Sequence, residues 1–541
     1  MADKTPEAAK PKPKDDSAKA QDAVYKVARE KYNLGISTDG LPFAVPNNPR
    51  LPKVARPIAS LSGELMLAMH RDAGVMVSRE TITKTLDILD AEAKEHASTR
   101  LYLRTAPVGI ALHIDLGDPH GRYVEVSPCG WTVCDPLEDR EDDPAAMEAT
   151  RPIFLRTAAT AALPVPVTGG SRDALRKLMG LEADSNQWKL IWGWQVAAFF
   201  SGYPRPILWT LGPQGSGKST IARMALCMVD PAEALGRAPG NSERDDFTSA
   251  AGRFVPSWDN IGSLSAKTSN WLCQLVTGIS NDHRKLFTDA GLHIQTIRRS
   301  GVATSIVLPF GLGPDALERL VLVELERVDE SRRKSESRLW SEFHDLQPMI
   351  LGALLDDVAG VLANLTATRA EERPRPRMAD YSDVLTALDT HLGNDAADGY
   401  AATYAASVHN VMADRAQDDP LTMGLLAIAR AKGGTWRGPV EDLLKRLEPF
   451  RPDDFKAAWP TSPASLGGAM ARGQETLRAA GLTVERKKVR GVRSIILRAD
   501  PAVPEADGSG DPAPEPMPEP STLRVSDTAA KLGEVLDPAC T

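Results

Sequence analysis

The sequence predicts an α/β protein, with a P-loop nucleotide-binding core and a helical lid between a small α+β module and a winged helix-turn-helix. Three observations predict it. A phosphate-binding pattern sits between an apolar strand-length run and a helix at residues 207–229. Further apolar, strand-length runs recur as far as residue 325. A helix, strand, helix, helix and hairpin pattern then closes the chain before residue 500.

The phosphate-binding pattern organises the rest. Residues Gly212, Pro213, Gln214, Gly215, Ser216, Gly217, Lys218 and Ser219 spell the complete G-x-x-x-x-G-K-[ST] signature, and Thr220 follows it. Residues 207–211 (ILWTL) read as a buried strand and residues 221–229 (IARMALCMV) as a helix, the context such a loop requires. Three glycines let backbone N–H groups wrap around phosphate oxygens, with the helix N-terminus behind adding positive potential. Lys218 is expected to reach the β- and γ-phosphates and Ser219 to place its hydroxyl on Mg²⁺, so ATP and Mg²⁺ are the expected ligands.

Composition sets the outer limits. The chain has 541 residues, 42% hydrophobic and 25% charged, which suits about three ordinary globular domains. A net charge of −8 excludes a chain that is basic throughout, so nucleic acid would be met by a local patch. Cysteines 129, 134, 227, 273 and 540 lack the spacing of a zinc site and read as free thiols in a reducing compartment. No apolar run approaches membrane-spanning length and the first residues carry no apolar signal core, so a cytoplasmic protein without a membrane is expected.

In chain order, residues 1–22 are Ala, Lys, Pro and Asp and are expected to form a disordered tail. Residues 57–165 form the α+β module: helical spacing at Leu61, Leu65, Met69, Ile82, Leu86 and Leu89, then alternating strands at 108–115 and 122–126. Asp115 and Asp118, at a strand end, read as turn residues rather than a metal pair. The core is assigned to residues 166–330. It opens with a helix at about 173–200 whose Trp188, Trp192 and Trp194 are more economically read as core than as a base-stacking platform.

Beyond the loop, residues 254–258 (FVPSW) read as a strand that delivers Asp259 to its carboxyl end, where an acid can hold the Mg²⁺ shell. Asn260 follows, which leaves the general base open. A helix is expected at 264–276 and a hairpin at 284–295. The strand 301–308 brings Thr304 to where its hydroxyl could orient water or bond the γ-phosphate, and the strand 321–325 follows.

The series GPQGSGKST, VPSWDN, GISNDHRKLFTDAGLHIQTIRRSGVATSI and PDALERLVLVELERV resembles the helicase-type ATPases of phages and integrated mobile elements, related to helicase superfamily 3 and the poxvirus primase-helicases. The resemblance spans about residues 150–380. It implies an AAA+-type core assembled as a ring, expected to be a hexamer, around single-stranded DNA. In that setting Thr304 holds a sensor position and Arg319 is the arginine finger offered to a neighbour's nucleotide. The hairpin supplies Arg284, Lys285 and His293 as DNA candidates, against an equal structural reading.

Residues 331–415 are expected to be the helical lid, with helices at 349–365, 380–392 and 402–415, after a charged stretch, DESRRKSESR, read as a solvated helix start. Residues 420–499 then give helices at 421–432, 439–448 and 465–480, and strands at 482–488 and 493–498, in winged-helix order. Arg486, Lys487, Lys488, Arg490, Arg493 and Arg498 lie in and beside the wing, with Arg472 and Arg478 on the preceding helix. Duplex DNA is the preferred partner, protein docking the alternative. Residues 500–541 are acidic, Pro-rich and expected to be disordered. A helicase-like DNA replication motor and an ATP-gated DNA-binding switch or defence ATPase both remain compatible with these residues.

Overall fold

The structure is a computed structural model that describes residues 14–48, 54–135, 152–240, 242–284, 292–309, 311–451, 459–489 and 492–500. At its centre is a four-stranded parallel sheet, in the order Ser257–Trp258, Gly301–Ser305, Ile207–Leu211, Leu320–Glu324. All five residues of Ile207–Leu211 are buried. An unbroken apolar run with no alternation is what a strand covered on both faces requires.

Helices cover this sheet. Asn186–Ala198 buries Trp188, Trp192 and Trp194, and the two inner indoles are satisfied: Trp192 Nε1 donates to Asp357 Oδ2 at 2.7 Å and Trp194 Nε1 to the Pro206 carbonyl at 3.0 Å. The tryptophans are therefore core. The helix Glu336–Ala370 runs 35 residues and passes through Pro348, where a helix beginning only at residue 349 was expected. Its length and composition would suffice to cross a membrane, contrary to the expectation that no such run exists. Ile350, Leu351, Leu354, Leu355, Val358 and Val361 instead bury that apolar face within the core. Helix Ala379–Leu392 packs beside it, and Tyr400–Asp418 packs in turn against Ala379–Leu392 and Asn186–Ala198.

The chain ahead of the core holds more structure than its composition suggested. Residues 14–22, expected as part of a tail, lie in the helix Lys14–Lys31, which buries Val24 and Ala28. Strands Tyr32–Ser37, Pro42–Pro46 and Val54–Pro57 precede residue 57, where the module was expected to begin. They join a six-stranded sheet, and strands Thr105–Val108, Ala111–Asp115, Tyr123–Ser127 and Gly130–Cys134 form a four-stranded meander. Asp115 and Asp118 are held at the strand end by arginines: Arg156 Nη2 meets Asp115 Oδ1 at 2.6 Å and Arg122 Nε meets Asp118 Oδ2 at 2.5 Å. A buried ion pair, Arg104 to Asp230 at 2.8 Å, ties this region to the core.

The C-terminal unit has its own apolar cluster, including Leu425, Trp436, Leu443, Leu466, Leu477 and Leu497. Its elements are the helix Pro420–Arg430, strand Thr435–Pro439, helices Val440–Leu447, Pro463–Arg472 and Gln474–Ala479, and the hairpin Leu482–Val489 with Val492–Ala499. The helix expected over 465–480 is thus two helices that meet at Gly473. Residues 1–13 and 501–541, including the greater part of each expected tail, lie outside the described residues.

Candidate nucleotide site

The loop after Ile207–Leu211 owes its shape to its glycines. A Cβ on Gly212 would stand 2.5 Å from the Leu325 carbonyl oxygen, so no larger residue fits there. Gly215 and Gly217 adopt φ of 81° and 76°, a region glycine enters without steric cost. Helix Lys218–Cys227 starts directly behind, with its first amides facing the loop. Pro213, Gln214 and Gly215 are exposed, whereas Ser216 is buried with its hydroxyl unpartnered among the described residues.

The acid lies beside the loop because of strand order. Gly301–Ser305 separates Ile207–Leu211 from Ser257–Trp258, and all their carboxyl ends share one edge. At that edge Ser219 Oγ donates to Asp259 Oδ1 at 2.9 Å, and Thr304 Oγ1 donates to the same oxygen at 2.6 Å. Thr304 also accepts the Asn260 N–H at 2.9 Å. Its single proton is directed at Asp259 and its side chain is fully buried. Asn260, at φ 53°, is the one non-glycine residue with positive φ among the described residues, a conformation asparagine tolerates better than most.

Arg319 sits elsewhere. It precedes Leu320–Glu324, and its carbonyl accepts from the Ile207 N–H at 3.0 Å, so it lies at the amino edge of the sheet. Five strand residues separate it from the glycine-rich loop of its own chain, about 16 Å at the usual rise. There it pairs with Asp315 at 2.8 Å, and Arg377 meets the same carboxylate oxygen at 2.6 Å. Burial alone would raise the Asp315 carboxyl, but the hydrogen bond and charge of Arg319 outweigh it and hold the group below its ordinary value. Nearby, burial first and the Asp315 charge second push the Cys273 thiol up to about 12.

One contact to the loop was not legible in advance. The chain leaving Leu320–Glu324 passes back over it: the Leu325 N–H donates to the Leu211 carbonyl at 2.8 Å and the Val328 N–H to the Gly215 carbonyl at 3.2 Å. The charged stretch read as a solvated helix start therefore begins beside the glycine-rich loop, and its helix starts only at Glu336.

With this geometry in view, comparison with known families is decisive. Residues 173–413 match the family model described as actinomycete integrative conjugative element replication protein, and residues 421–510 match that of its C-terminal domain. The chain belongs to this family of replication proteins. No curated protein matches the sequence at a significant level. Among solved structures, the apo NrS-1 C-terminal region (residues 305–718) aligns with 88% of this chain and 99% of its own at 12% identity, with a TM-score of 0.38. The JCV helicase aligns with 62% of this chain and 88% of its own at 12% identity, with a TM-score of 0.23.

The DNA candidates of the replication protein are spread over two hairpins and the two helices before the second. The first pairs Ile279–Arg284 with Leu292–Ile297, starting five residues earlier than expected. Arg284 and His293 occupy its strands, while Lys285 and the side chains of all three lie outside the described residues. On the second, an acid stands directly before the basic run. Glu485 pairs with Arg498 at 2.8 Å and with Lys487 at 3.5 Å, because all three share one face of the antiparallel pair. Arg486 turns back to the Gly467 carbonyl. Arg478 is exposed, and the side chains of Arg472, Lys488, Arg490 and Arg493 lie outside the described residues.

Proposed function

We propose that this replication protein binds Mg²⁺-ATP at residues 212–220 and couples its hydrolysis to work on DNA. The observation that carries the reading is the convergence of Ser219 and Thr304 on one oxygen of Asp259 beside a glycine-rich loop. The residues fit the ligands. Ser216 offers a buried, unpartnered hydroxyl, and Lys218 has no ion pair among the described residues. Ser219 Oγ and Asp259 Oδ1 are 2.9 Å apart, the spacing of about 2.9 Å between adjacent ligands of an octahedral ion with bonds of about 2.0–2.1 Å. Mg²⁺ bound there would neutralise charge on the β- and γ-phosphates. Lys218 binds the terminal phosphates, Ser219 and Asp259 hold the ion, and Thr304 fixes Asp259.

The strand order, with Gly301–Ser305 between the loop strand and the acidic strand, supports an AAA+-type core. The distance of Arg319 from its own loop supports a ring in which this residue serves the neighbouring subunit, the arrangement read as a hexamer. For that role it must exchange Asp315 for a phosphate. The C-terminal hairpin and its preceding helices support a winged helix that meets duplex DNA, and the hairpin Ile279–Arg284/Leu292–Ile297 is the element for a single strand. Phosphate release from ATP by the full chain, with and without DNA, tests the reading. Release with Mg²⁺ that DNA stimulates is expected, and none under any condition refutes it. Strand separation on a forked duplex distinguishes the motor from a nucleotide-gated DNA-binding switch.

A further inference from the structure

Residues 325–333 form a strap over the phosphate loop, tied to it at Leu211 and Gly215 by backbone hydrogen bonds of 2.8 and 3.2 Å. Two of its side chains reach the loop. A Cβ built on Gly215 would stand 3.2 Å from Arg333 Nη2 and 4.0 Å from Arg327 Nε, so both guanidinium groups border the backbone that would wrap the phosphates. Each is held by the same carboxylate: Glu330 lies 3.6 Å from Arg327 and 3.7 Å from Arg333. All three side chains are exposed, and both separations exceed an ordinary hydrogen bond. Exposed pairs of this kind hold their partners weakly, and one carboxylate cannot satisfy two guanidinium groups at once.

We propose that Arg333 and Arg327 bind the terminal phosphates of the nucleotide from within the same subunit, and that Glu330 holds them until those phosphates arrive. The proposal rests on the ATP reading and deepens it. A guanidinium meets phosphate through two parallel, charge-assisted hydrogen bonds, which the loose contacts to Glu330 cannot match. Arg319, at the far edge of the sheet, is left for the neighbouring site. The strap thus gives the loop cationic partners in cis, besides Lys218, and links the loop to the helix Glu336–Ala370, which begins three residues after Arg333.

The test is titration of a fluorescent ATP analogue, at fixed ionic strength, into the full chain and four variants. Arg327→Ala with Arg333→Ala should weaken binding about tenfold or more, the effect of losing charge-assisted bonds. Glu330→Gln should strengthen it several-fold by removing the competing carboxylate. Combined with the two Ala substitutions, Glu330→Gln should change nothing further, since the groups it restrained are gone. AMP, which lacks the terminal phosphates, should bind all of these alike. An unchanged affinity in the double Ala variant, or no gain with Glu330→Gln, overturns the proposal while the parent still binds ATP and Lys218→Ala does not. A parent that fails to bind, or a Lys218→Ala chain that binds as the parent does, instead overturns the ATP reading itself.

Discussion

Thr304 Oγ1 lies 2.6 Å from Asp259 Oδ1 and accepts the Asn260 N–H at 2.9 Å, so one hydroxyl fixes both the acid and the left-handed residue beside it. Replacing Thr304 by Val keeps the shape and removes both bonds. The loss of one hydrogen bond to a charged group is worth about 2 kcal/mol, roughly thirtyfold. Hydrolysis should fall by about that factor and the Mg²⁺ concentration for half-maximal activity should rise, whereas Thr304→Ser restores both. An unaltered Mg²⁺ requirement in Thr304→Val would show that the hydroxyl does not serve the metal shell.

Arg319 and Arg377 share Asp315, but Arg319 is largely buried and Arg377 about half exposed. If Arg319 serves the neighbouring site, Arg319→Ala subunits should bind ATP and hydrolyse it poorly, by roughly 10³-fold where a finger carries the transition-state charge. Mixing them with Lys218→Ala subunits should restore turnover at interfaces that have both groups intact. Absence of rescue, together with full activity in Arg319→Ala and loss in Arg377→Ala, would move the role to Arg377.

In the C-terminal hairpin, Glu485 neutralises part of the basic surface. Lys488→Ala with Arg490→Ala should lower the slope of log affinity for duplex DNA against log salt by about two units if each meets a phosphate. Glu485→Gln should strengthen duplex binding by releasing Lys487 and Arg498. Gel-shift titrations over a salt series check both. An unchanged slope with unchanged affinity would make the unit a protein-docking module.

Arg104 and Asp230 are both buried, and Asp230 also accepts the Val255 N–H at 3.0 Å. Arg104→Met leaves the carboxylate unpaired and should cost about 3–5 kcal/mol in urea unfolding. Adding Asp230→Asn should recover much of that loss, because the group left without its guanidinium partner is then neutral.

The strand Ile207–Leu211 was legible to the residue, since a complete loop motif fixes where the strand before it must stop. The parts of the site set by other strands were not. Thr304 lies 45 positions from Asp259, and their contact comes from sheet order, which no local pattern encodes. Residues 325–333 carry charge without apolar period, so nothing in them announces a strap; only their hydrogen bonds to Leu211 and Gly215 do. Helix Lys14–Lys31 hides a narrow stripe at Val24 and Ala28 within a polar composition. Glycine misled in the opposite way: Gly473, inside an otherwise helical pattern, proved to be the junction of two helices.

Hydrolysis of ATP is assigned to the loop at residues 212–220. Steady-state phosphate release by Lys218→Ala, beside the parent, with Mg²⁺ and single-stranded DNA, tests it most directly, because the substitution removes one point charge from a partly exposed position at the start of a helix. Mg²⁺-dependent release by the parent and its near-complete loss in Lys218→Ala, with the unfolding transition unchanged, are expected. Equal release by the two chains would contradict it.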